Sequence, residues 1–92
     1  MNEQTALRAL EMYKIVLSCT NNRRALENQM FQNLEALKAM LIYDSPEEFD
    51  LNQLFYLSTK KRMKQLGCDT ERYDRKFYSL LLQKIKIDYG AN

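Results

Sequence analysis

Apolar residues recur at three- and four-residue spacing along nearly the whole chain. That is the period of a helix, not the alternation of a strand. Over residues 3–19, Ala6, Ala9, Leu10, Tyr13, Val16 and Leu17 fall within an arc of ~120° when each residue advances the turn by ~100°. Over residues 23–43, Leu26, Met30, Leu34, Leu37 and Leu41 fall within ~80°. These stripes belong to two helices. The nine steps from Leu17 to Leu26 turn the second stripe to the opposite side of the first. Between them lie Ser18, Cys19, Thr20, Asn21 and Asn22, mostly residues whose side chains compete with helical hydrogen bonding. The pattern predicts a tight antiparallel hairpin turning at about 19–23.

A third helix is announced by Ser45-Pro46-Glu47-Glu48, which has the form of a capping box with proline in the first turn. Asp50 offers a second start three residues before Gln53. The helix is expected to run from 46 or 51 to Leu66, with Gly67 in the left-handed position beyond its end and Cys68 packing back on Met63. Its apolar face is read as Leu51, Leu54, Phe55 and Leu66. Arg62 then points into the middle of that face, and burying an unpaired guanidinium is costly. Either Arg62 finds a carboxylate, or the helix breaks at Ser58-Thr59 and restarts in a new phase. Asp69 is placed to cap a last helix over 70–89, with Cys68 and Tyr73 as a hydrophobic staple and Gly90 as its stop. The expected fold class is all-α: one domain, a small bundle of four antiparallel helices with short connections, or five if the third breaks.

Composition supports one domain and removes several functions. The chain has 92 residues and a mass of 11.0 kDa. It contains 2 glycines and 1 proline, too few for a turn-dense β fold. It has no histidine, which excludes a Ser/His or Cys/His pair and any His-ligated metal. Cys19 and Cys68 are far apart and form no CxxC, so they read as reduced thiols beside apolar positions. No P-loop, GxGxxG or GxSxG motif is present. Asp44, Glu47, Glu48 and Asp50 cluster, but a helix start accounts for them. No catalytic residue, metal site, cofactor or small-molecule substrate is expected. The first residues lack a basic segment followed by an apolar run, and the longest apolar run, 39–43, is far short of a membrane span. The expected location is the cytoplasm, with no membrane partner.

Two surfaces remain as candidates. On the last helix, Tyr73, Phe77, Tyr78, Leu80, Leu81, Leu82, Ile85, Ile87 and Tyr89 spread over ~220°, where the outer helix of a small bundle needs ~100–140°. On the first, Met12, Ile15 and Cys19 widen the stripe in the same way. Aromatic and methionine side chains are types that interfaces favour. Met12, Ile15, Tyr78, Leu82, Ile85 and Tyr89 are therefore the candidate protein-interface residues, facing another protein or a second copy in a homodimer. Small proteins of this kind are frequently regulators, adaptors or inhibitors, some of them carried by phages or plasmids.

The second surface is basic. Residues 1–55 carry five basic and eight acidic groups, whereas residues 56–92 carry nine and four. On the last helix Arg72, Arg75, Lys76 and Lys86 share a ~100° strip with no carboxylate of that helix in it. Lys60, Lys61, Arg62 and Lys64 lie just upstream. An acid-free basic strip is the footprint of a phosphate-backbone binder. Residues 58–81 also resemble a helix-turn-helix through Leu66, Gly67, Cys68 and Tyr73. Arg62, Met63 and Lys76 depart from that pattern, and Asp69, Glu71 and Asp74 would face phosphates. The alternative function is thus a DNA- or RNA-binding regulator using Lys60, Lys61, Lys64, Arg72, Arg75, Lys76 and Lys86.

Overall fold

The computed structural model describes residues 2–43 and 45–90. It contains four helices: α1 Glu3–Ser18, α2 Arg23–Ile42, α3 Pro46–Gln65 and α4 Glu71–Tyr89. No strand occurs among the described residues. Asn2 caps α1 through the Thr5 amide, and Asn22 caps α2 through the amides of Arg24 and Ala25. Pro46 occupies the first turn of α3, but the Ser45 side chain makes no capping bond. The proline and the acidic first turn of Glu47 and Glu48 mark that start without a closed capping box. Asp44, part of the acidic cluster, lies outside the described residues. Gly67 takes φ 76°. The Cys68 amide donates to Met63 O at 2.9 Å and the Gly67 amide to Lys64 O at 3.0 Å, which is the Schellman closure. The cap of α4 is Thr70 rather than Asp69. Asp69 instead accepts from the Glu71 amide, at 3.0 Å.

α3 is continuous through Ser58 and Thr59, so there is no fifth helix. Its buried face is Phe49, Tyr56, Thr59 and Met63; Leu54 and Leu66 are exposed and Leu51 and Phe55 half-buried. Three of the four buried residues repeat every seven positions, and the face they define is turned away from the one expected. Arg62 therefore sits on the flank of the buried face. Its Nε donates to Thr20 O at 3.2 Å, Nη2 to Asn21 Oδ1 at 2.7 Å and Nη1 to Gln65 Oε1 at 3.2 Å. Neutral oxygens of the α1–α2 turn and of its own helix satisfy the guanidinium, so neither a carboxylate nor a break is required.

The core joins Leu17 of α1, Leu26, Met30, Leu34 and Leu37 of α2, Phe49, Tyr56 and Met63 of α3, and Tyr73, Phe77 and Leu80 of α4. α2 packs on α3; α1 closes against α3, and α4 against α2. The turn between α1 and α2 falls where expected, but the two do not form a tight hairpin: no Cα of one comes within 8 Å of the other. The side chains of Tyr13, Gln29 and Asn33 stand between them. Tyr13 OH lies 3.2 Å from Gln29 Oε1 and 2.6 Å from Thr59 Oγ1, and Thr59 donates to Asn33 Oδ1 at 2.8 Å. Thr59 is fully enclosed, so this relay ties three helices at a site where an unpaired hydroxyl would be costly.

α1 and α4 are the two flanking elements. The Cα extents are 45 × 31 × 15 Å and the radius of gyration is 13.7 Å, against about 12 Å for a compact chain of this length. The accessible surface is 6566 Å², whereas a folded monomer of this mass exposes ~5,600 Å². The molecule is flat and leaves about 1,000 Å² more surface in water than size scaling allows.

Candidate functional site

The wide apolar arc of α4 resolves into two stripes. Tyr73, Phe77 and Leu80 point inward and are buried. Tyr78, Leu82, Ile85 and Tyr89 follow one another at spacings of four, three and four residues and point outward. Their exposures are 56%, 59%, 52% and 86%. The inward stripe gives out at Lys84, where the next apolar residue would fall. The Lys84 stem is largely covered, and its Nζ lies 5.6 Å from the Phe49 ring centroid, so the side chain lies along apolar surface while its ammonium reaches Asp88 at 2.6 Å. That pairing holds the Lys84 pKa above its ordinary value. α4 thus changes sides: its first half is greasy toward its own chain, its second half toward solvent.

α1 repeats the arrangement on a smaller scale. Leu10 and Leu17 are buried. Met12, Ile15, Val16 and Cys19 are exposed on the opposite side. Val16 was expected in the buried stripe; it lies ~100° from Leu17 on the helical wheel and falls outside. No Cα of α1 approaches one of α4 within 8 Å. The six candidate interface residues are therefore all exposed but form two separate patches, one on each flanking helix.

The basic candidates divide. Arg72 Nη2 pairs with Glu27 Oε2 of α2 at 3.1 Å and with Tyr73 OH at 2.8 Å. The Tyr73 contact is the main reason its pKa rises. Arg75 pairs with Glu71 at 2.8 Å and Lys60 with Asp74 at 3.2 Å. No carboxylate of α4 falls inside the strip on the helical wheel, but in space Glu27 reaches it from α2 and Glu71 from the preceding turn of α4. Lys61, Lys64, Lys76 and Lys86 make no ion pair among the described residues.

Lys60 belongs to a second polar cluster, which sequence reasoning missed. Asp74 accepts from Tyr56 OH at 2.7 Å, from Thr70 Oγ1 at 2.9 Å and from Lys60. Burial of the Asp74 carboxyl favours its neutral form, but the bonds from Tyr56, Thr70 and Lys60 outweigh it and hold its pKa below the usual 3.8. Burial, reinforced by the bond to Asp74, pushes the Tyr56 hydroxyl far above the ordinary tyrosine range. This cluster fastens α3 to the start of α4, whose N-terminal turn also favours the carboxylate. It is a structural joint: every polar group in it already has a partner inside the chain.

No group of three or more Cys, Asp or Glu residues able to hold a metal is present among the described residues. No helix of the described residues is long and apolar enough to cross a membrane. Comparison with protein-family models, curated proteins and solved structures finds no match, and the geometry alone carries the functional reading.

Proposed function

We propose that this chain is a small non-enzymatic binding protein of the regulatory, adaptor or inhibitor type, acting in the cytoplasm. In this reading consecutive helices run in opposite directions, and the bundle presents the outward faces of α1 and α4 to another protein or to its own copy. The observation that carries it is the outward apolar stripe of each flanking helix, set opposite a buried one. Isolated exposed apolar residues are ordinary; contiguous ones at helical spacing mark docking surfaces. The pairing of Arg62 within a continuous α3 supports docking over groove reading. The test is affinity capture from the native host, with and without nuclease, comparing the parent with Ile15→Glu and Leu82→Glu. Docking gives a nuclease-resistant partner that one of the variants loses. A capture pattern unchanged in both variants contradicts it.

A nucleic-acid reading is favoured by Lys61, Lys64, Lys76 and Lys86, which make no ion pair among the described residues. Opposing it, three of the seven candidate cations are already matched to carboxylates. It requires a labelled duplex or RNA to shift at low salt and the shift to weaken on charge reversal at Arg72, Arg75 and Lys76. No shift at low salt removes it.

A further inference from the structure

We infer that the outward stripe of α4 is covered by the same stripe of a second copy, the two helices running antiparallel about a two-fold axis. This rests on the docking reading above and names the partner for one of its two faces. Four arguments lead there.

The first is spacing. Four-three-four is the seam of a coiled coil. An antiparallel two-fold pairing centred between Gln83 and Lys84 sets Leu82 beside Ile85 of the second copy and Tyr78 beside Tyr89 of the second copy. The same patch thus serves both sides, as a closed two-fold contact demands.

The second is area. At ~200 Å² for a fully exposed side chain, the four exposures amount to roughly 500 Å² per copy, or about 1,000 Å² for the pair. That is the lower limit for a specific interface, and the ~500 Å² per copy is about half of the surface each chain exposes beyond size scaling. The dimer is therefore expected to be weak, in the micromolar range.

The third is charge. Continuing the seam toward the start of α4 reaches Arg75 and then Glu71. A parallel pairing would set Arg75 against Arg75 and Glu71 against Glu71 of the second copy. The antiparallel one separates these like charges and carries Arg75 to just beyond Tyr89 of the other α4, on the side of its negative dipole end. The two macrodipoles also oppose each other.

The fourth is the helix itself. From Leu82 to Tyr89 every residue but Lys84 is exposed, and Ile85 and Ile87 are weak helix formers. This stretch is the end of a 19-residue helix, where fraying is easiest and cover on one face would hold it most.

The experiment is sedimentation of the full chain across a concentration series, with Leu82→Glu and, as an independent second break, Ile85→Lys. Both positions are exposed, and circular dichroism is the check that each variant folds. The parent is expected to show a monomer–dimer equilibrium, and both variants to stay monomeric. Met12→Glu is expected to dimerise like the parent. Orientation is read from oxidation of mixed Tyr78→Cys and Tyr89→Cys chains in a Cys19→Ser background. The antiparallel pair links 78 to 89; 78–78 and 89–89 links would overturn it. A parent that stays monomeric throughout overturns the second copy as partner, and capture of another protein lost in Leu82→Glu would then leave the docking reading standing. Dimers lost in Met12→Glu but kept in Leu82→Glu move the contact to α1 and overturn the assignment to α4.

Discussion

The two halves of α4 have similar apolar content and opposite situations. In the first, Tyr73, Phe77 and Leu80 are buried, the Phe77 ring stacks on Tyr56 at 4.2 Å between centroids, and Asp74 gathers three donors from Tyr56, Thr70 and Lys60. In the second, Leu82, Ile85 and Tyr89 turn outward, Leu81 is only half-buried against the core, and Lys84 takes the next place on the inward face. A helix that spends its apolar surface inward contributes to its own fold; one that turns it outward contributes only when something arrives to cover it. Similar composition is thus mostly core in one half and mostly exposed apolar surface in the other, and phase separates them.

The comparison breaks most sharply at Phe77. Phe77→Ala is expected to cost about 3–5 kcal/mol, a large share of the stability of a domain this size, and to lower the thermal midpoint by more than about 12 °C or leave the chain unfolded at room temperature. A smaller loss, about 1–3 kcal/mol, is expected for Thr59→Val in chemical denaturation, because Asn33 and Tyr13 lose their shared partner while the side-chain volume is kept.

Asp74→Asn is expected to cost a similar amount at neutral pH and to change the pH profile as well. The folded Asp74 binds its proton more weakly than the unfolded one. Its contribution is full above about pH 4 and is lost as the pH falls through the folded value. Tyr56 holds its proton more tightly when folded, so stability falls as the pH rises above about 10. The parent midpoint should be level between these limits, and Asp74→Asn should flatten the acid limb. An acid limb identical in parent and variant would dissociate the joint from acid stability.

The smallest expected effect lies in the second half of α4. Leu82→Ala should change the stability of the dilute protein by no more than about 0.5 kcal/mol, as measured by urea titration at low protein concentration. A loss as large as that at Phe77 would mean that the outward stripe is covered within the chain.

Much of the local layer of this fold was legible in the sequence. Pro46, Gly67 and Gly90 mark helix limits because their conformational preferences act within a few residues; the caps were read less well, since Ser45 makes no capping bond and Thr70 rather than Asp69 caps α4. The layer set by distant residues was not. Arg62 is satisfied by Thr20 and Asn21, some forty positions away. The buried face of α3 depends on Tyr56 and Thr59, which hydropathy does not mark as core and which are buried because Asp74, Tyr13 and Asn33 complete their hydrogen bonds. The basic strip looked free of acid because Glu27 reaches it from another helix. The excess apolar circumference of α1 and α4 was legible. Its division into two separate outward patches was not, since that depends on which helices touch.

Hydrogen exchange of the amides of residues 82–89 over a protein concentration series tests the central claim most directly. Their protection should rise with concentration in the parent and stay low in Leu82→Glu, while the amides around Phe77 remain protected in both. Equal protection of residues 82–89 at the lowest and highest concentrations, in parent and variant alike, would contradict the claim that this face is covered by a second chain.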